Sequence, residues 1–112
     1  MKTTVETKLR TSYISIEGRF DAHEVARFRE QMDDLLAAGT NQFRVDLSTV
    51  NFIDSSALAA LVALSRSATT AAGSLEIHNP SAPTQVILEL TGLDQALSII
   101  ASEESSNSVQ AN

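Results

Sequence analysis

Three polar residues in a row, Asp54-Ser55-Ser56, stand where one apolar pattern gives way to another. Before them, Val45 and Leu47 alternate as in a half-buried strand, and Phe52-Ile53 follow a polar step. After them, Ala57 to Leu64 is almost wholly apolar and reads as a buried helix. A carboxylate and two hydroxyls therefore fall at a strand-to-helix junction. The first N–H groups of a helix lack intrahelical partners, and that end carries a partial positive charge. Phosphate is well received there. Ser55 is accordingly either a helix cap, contributing about 1 kcal/mol through an amide bond, or a hydroxyl that accepts a phosphoryl group. Asp54 either caps the helix or holds that hydroxyl, and Ser56 reads as a cap.

The elements around this junction alternate. Residues 4–10 and 12–18 read as two strands joined by a tight turn near Thr11, with Gly18 closing the second. Asp21 to Ala38 carries Val25, Phe28, Met32, Leu35 and Leu36 at helical spacing. Asp21 and Glu24 form a capping-box-like start, and Gly39 a stop. A strand over 43–48 and a helix over about 56–72 follow, with Gly73 as the next stop. Residues 75–78 read as a strand, Ser81 to Leu90 as a helix with Pro83 in its first turn, and 97–101 as a short last strand. This order predicts one α/β domain over residues 1–101, with helices on a mixed, mostly parallel sheet and the first strand antiparallel at an edge. In such sheets the strand ends share a rim where ligands bind. Loops 20–23, 51–56 and 78–81 are expected on it, bringing Asp21 towards Asp54 and Ser55. Residues 102–112, SEESSNSVQAN, hold one valine among polar residues and read as a disordered tail.

Composition removes whole function classes. The chain has 112 residues, no cysteine and a net charge of −6. Disulfides and thiolate metal sites are therefore excluded. Eight scattered basic residues and 4% aromatics argue against nucleic acid, which needs clustered cations and stacking platforms. No apolar run approaches the roughly 20 residues that span a bilayer, and MKTTVETKLR is no secretory leader. A cytoplasmic location without membrane insertion is expected.

Other chemistries fit poorly. A hydrolase from Ser55, His78 and Asp21 would lack the Gly-x-Ser-x-Gly elbow. An aspartyl-phosphate receiver needs a late lysine, and none follows Lys8. Asp21, His23 and Asp54 match no strong metal-ligand spacing, and no Gly-rich phosphate loop is present. No catalysis and no resident cofactor are expected. On the helix over 57–72, an edge with Ser65, Arg66 and Thr69 is available to a partner.

The segment VDLSTVNFIDSSALAAL resembles the signature of bacterial anti-sigma factor antagonists built on the STAS domain. Glu17-Gly18-Arg19-Phe20-Asp21 is similar to that family's Gly-x-x-Asp, and Leu90-Thr91-Gly92-Leu93 to its late Ser/Thr-Gly-Leu turn. Where the family usually has glycine after the hydroxyl pair, this chain has Ala57. The resemblance implies a partner-switching regulator with Ser55 as the phosphorylated serine. It implies docking through Asp21, Asp54, Ser55, Ser56 and Ala57 on an anti-sigma factor that is also a serine kinase, and a phosphatase that resets the site. An alternative on the same fold is a non-phosphorylated STAS subunit of a lipid-transport ABC complex.

Overall fold

The computed structural model describes residues 1–101; the tail expected over 102–112 lies outside the described residues. Strands β1 (Lys2–Lys8) and β2 (Thr11–Phe20) form an antiparallel hairpin. Helix α1 (Ala22–Ala37), strand β3 (Gln42–Ile53), helix α2 (Ser55–Thr70), strand β4 (Ser74–His78), helix α3 (Ala82–Thr91) and strand β5 (Ser98–Ile100) follow. The sheet runs β1-β2-β3-β4-β5, and all pairs after the first are parallel. The expected architecture is found, with β1 at the antiparallel edge.

Alternation fixes which face is core. Ile14 and Ile16 of β2, Phe43, Val45 and Leu47 of β3, and Leu75 and Ile77 of β4 are all buried. They meet Phe28 and Met32 of α1, Leu58, Leu61 and Leu64 of α2, and Leu88 of α3. Phe20 and Phe28 stack tilted with centroids 4.9 Å apart, tying the end of β2 to α1. The intervening strand residues, Tyr13, Ser15, Arg44, Asp46 and His78, line a shallow concavity on the other face with no helix residue among them.

Strand β3 is twice as long as the sequence suggests. The polar step at Ser48–Asn51 does not end it. It holds two places where β3 carries an extra residue against β2, between Ser15 and Glu17 and between Gly18 and Arg19. Each bulge interrupts the period of two, so the buried positions run 43, 45, 47, then 50 and 53. Asp46 stabilises the first irregularity by accepting from the Ser48 amide at 2.8 Å and its hydroxyl at 2.6 Å. Gly18, expected to end β2, lies inside it at φ 94°, a backbone that glycine adopts without strain.

The turn at Leu9–Arg10 joins β1 to β2. Leu9 adopts φ 58° and is 98% exposed, so it combines a left-handed backbone with no packing. The Arg10 carbonyl accepts from the amides of Asn41 and Gln42, both at 3.0 Å, which pins the turn to the start of β3. Asparagine tolerates this backbone better than leucine. Leu9→Asn is expected to stabilise the domain by up to about 1 kcal/mol, read as a rise of about 4 °C in melting temperature; a fall would show that Leu9 packs on something.

Candidate functional site

The junction is assembled by Asp54, which has a double function. It is the N-cap of α2, with Oδ1 accepting from the Ala57 amide at 3.0 Å. Its other oxygen, Oδ2, accepts from the Ala22 amide at 3.0 Å. Ala22 is the first residue of α1, so one carboxylate satisfies orphan N–H groups at two helix starts. The Asp54 amide donates in turn to the Phe20 carbonyl at 3.3 Å, which closes the link between the ends of β2 and β3.

With Asp54 as cap, Ser55 is the first helical residue and not the cap. It is exposed, and its hydroxyl has no hydrogen-bond partner among the described residues. Asp54 does not hold it, because both carboxylate oxygens serve backbone amides. Ser56, read from sequence as a cap, is the second helical residue and half-buried. Ala57 is fully buried, its methyl being part of the core, so it offers a partner no surface of its own. The loss of glycine there leaves the outer surface unaltered.

Asp21 arrives on the same rim, as the sequence led one to expect. It caps α1 by accepting from the His23 amide at 3.1 Å, and its second oxygen accepts from Arg19 Nε at 3.4 Å. The capping box does not form: the Glu24 carboxylate lies 3.8 Å from the amino group of Met1. The Asp21 side chain is only 15% exposed, its oxygens occupied in these local bonds. Arg19 also stacks over the ring of Phe52, with its guanidinium carbon 4.1 Å from the ring centre. Phe52 is 38% exposed, so this cation–π pair forms an open surface beside the junction. Sequence reading missed it because the two residues meet only through the bulged register of β2 and β3.

The third expected loop does not join the rim at this point. Strand β4 ends at His78, paired with Asp46, eight residues before Asp54 along β3. The reason is the length of β3, which runs on past its neighbour. His78 bonds through Nε2 to Glu76 Oε1 at 3.0 Å, and Glu76 also binds Arg44 Nε at 3.1 Å. Ser55, His78 and Asp21 therefore do not assemble into a triad. Among the described residues, no group of three His, Cys, Asp or Glu side chains is placed to hold a metal ion. No described helix is long and apolar enough to cross a membrane.

Beside Ser55 lies a groove of about 370 Å³ between α2 and the turn that follows α3. Ser55, Leu58, Ala59, Val62 and Arg66 line one side, and Leu93 closes the other.

Fold and junction together define a small α/β domain that presents a serine hydroxyl at a helix start. The chain belongs to the STAS-domain family: the family model described as "Mlab, STAS domain" matches residues 3–101. A search of curated proteins by sequence finds no significant match. Among solved structures, the chain is similar to a putative anti-sigma factor antagonist from Thermotoga maritima, at 22% identity and a TM-score of 0.82, covering 96% of this chain and 94% of that one. It is similar to the anti-sigma factor antagonist SpoIIAA in its unphosphorylated form, at 20% identity and a TM-score of 0.79, covering 99% and 98%. The phosphorylated form of SpoIIAA from Bacillus matches at 21% identity and a TM-score of 0.72, covering 96% and 99%. At these identities the likeness is one of fold.

Proposed function

We propose that this protein is an anti-sigma factor antagonist, a non-catalytic cytoplasmic regulator of transcription whose docking is switched by phosphorylation of Ser55. The observation that carries this reading is the state of Ser55. A helix-start serine normally spends its hydroxyl on capping, but here Asp54 caps and the hydroxyl stays exposed, with no partner among the described residues. A phosphate would add about −1.5 to −2 charges at the positive end of α2, where the fold tolerates it. The switch then acts on the partner, not on the fold. Unphosphorylated, the domain binds an anti-sigma factor that is also a serine kinase and frees the sigma factor. The kinase supplies ATP and Mg²⁺ and phosphorylates Ser55, and a phosphatase resets it. That SpoIIAA has been solved in unphosphorylated and phosphorylated forms supports the same logic. The surface around Ser55, with Ser56, Asp54 and Asp21, forms the docking rim.

The test is direct. Incubated with the cognate kinase and ATP, the protein gains one phosphate; Ser55→Ala gains none, still binds the kinase and melts as wild type. Phosphate uptake by Ser55→Ala would move the site to Ser56.

The matching family model is described by Mlab and not by a sigma-factor role, which supports a second reading. In it the domain docks, unphosphorylated, on the ATPase of a lipid-transport ABC complex. Recovery of a transporter ATPase in place of a serine kinase from the native cytosol and membranes would select that reading.

A further inference from the structure

Strand β1 ends the sheet on one side, and among the described residues no strand pairs beyond it. Its outer edge has a definite pattern. The turn at Leu9–Arg10 is two residues long, so the pair that closes it, Lys8 with Thr11, exchanges both main-chain bonds. Bonded and non-bonded pairs then alternate along the hairpin. Lys2, Thr4, Glu6 and Lys8 turn their N–H and C=O groups to β2, and Thr3, Val5 and Thr7 turn theirs outward. The Ile16 carbonyl agrees with this phase. Ile16 stands opposite Thr3, and its carbonyl points away from β1, accepting from the Thr49 hydroxyl of β3 at 3.2 Å. An edge of this kind is a template for another strand. The far edge, β5, offers only Ser98–Ile100, whereas β1 offers Lys2–Lys8.

Side chains decide which strand it takes. Lysine on an edge usually guards it against pairing. In KTTVETK the guard holds in most registers and fails in one. A second β1 laid antiparallel must set outward residues against outward residues to bond. Centred on Val5, it places Lys2 opposite Lys8 of the other copy, twice by symmetry. Centred on Glu6, it brings two carboxylates together. Centred on Thr3 or Thr7, only residues 2–4 or 6–8 of the strand overlap. Centred on Thr4, it joins Thr3 to Val5 through main-chain bonds and sets Lys2 opposite Glu6, each pairing made twice. Those charges then stand at non-bonded positions, where side chains approach most closely. They lie on the sheet face whose concavity Thr4 and Glu6 help to line. Glu6 is 70% exposed and lies 3.9 Å from Lys8, a surface contact that exchanges at little cost.

We infer that the protein forms a two-fold dimer through β1, in the register centred on Thr4, so that one sheet runs through both copies. The inference is independent of the anti-sigma reading. Because the joined strands run in opposite directions, the two Asp54–Ser55 junctions lie at opposite ends of the combined sheet. One dimer therefore presents two sites that face apart.

Sedimentation equilibrium of the full chain over a range of concentrations tests it, with Thr3→Pro, Lys2→Glu, Glu6→Lys and the double reversal Lys2→Glu/Glu6→Lys, and a melting curve for each. Proline at position 3 removes an outward N–H, which an edge strand tolerates; should it unfold the hairpin, the charge series still decides. The wild type should be mostly dimeric at about 1 mM. Each single reversal sets like charges opposite one another twice and should weaken the dimer about tenfold. The double reversal restores the pairs and should recover most of that loss. Thr3→Pro should be monomeric and folded. A wild type that is monomeric at about 1 mM would overturn the inference. So would a dimer that folded Thr3→Pro or the single reversals leave within about twofold of wild type, or that the double reversal fails to recover. Either result would move the contact elsewhere, the exposed Val86 and Leu90 of α3 being the next candidates.

Discussion

Gly73→Ala is expected to destabilise the domain by about 3 kcal/mol or more, a fall of at least about 12 °C in melting temperature. The cause is proximity, not backbone conformation. A Cβ on Gly73 would stand 1.8 Å from the Asn41 carbonyl oxygen and 2.5 Å from its carbon. Neither side can retreat. The Asn41 carbonyl accepts from the Ser74 amide at 3.0 Å, and the Gly73 amide donates to the Ala68 carbonyl at 2.7 Å. The Asn41 side chain meanwhile donates to the Ala71 carbonyl at 3.1 Å. Yielding would break the hand-over from α2 to β4 together with the first pair of the β3–β4 ladder, Gln42 with Ser74. A melting temperature within a few degrees of wild type would mean that the junction is softer than these bonds imply.

Asp54 gives the second large effect. Asp54→Ala removes acceptors from two amides at once and is expected to cost about 2–3 kcal/mol. Asp54→Asn is the sharper probe. At an ordinary N-cap asparagine serves nearly as well as aspartate. Here both oxygens accept from backbone N–H groups. An amide has one oxygen, so either Ala22 or Ala57 would face an NH₂ donor, at a cost of about 1–2 kcal/mol. Asp21→Asn serves as the comparison, since its cap bond to the His23 amide survives and what weakens is its surface contacts with Arg19 and the His23 ring. Denaturant melts of the two asparagine variants should therefore separate clearly; equal stabilities would show that the Ala22 bond contributes nothing.

The order of strands and helices was legible because each element keeps its own period. The apolar stripe of α1 and the alternation in β2 and β4 each point to one conformation. The length of β3 was not legible, since two bulges break its alternation and make a continuous strand read as a strand, a polar step and an apolar pair. Gly73 could be placed near a helix end, but it does not occupy the left-handed position, which Ala72 takes at φ 65°. Its necessity comes from Asn41, a residue distant in sequence, and no local pattern reports that. At the site, convergence of Asp21 with Asp54 followed from topology alone. Which residue caps and which hydroxyl stays free did not, because Asp, Ser and Ser are all good caps and only the backbone geometry chooses among them.

That choice bears on how such a protein can change over generations. Asp54 and Ser55 are neighbours in one motif, yet they answer to different selective demands. The carboxylate is tied to the integrity of two helix starts, and few replacements can satisfy both. The Ser55 hydroxyl beside it has no hydrogen-bond partner among the described residues. A lineage can therefore gain or lose that hydroxyl by a single substitution at position 55 with little penalty in folding. On the proposed reading, descendants that keep the scaffold and abandon the switch, or recover it, lie one mutation apart.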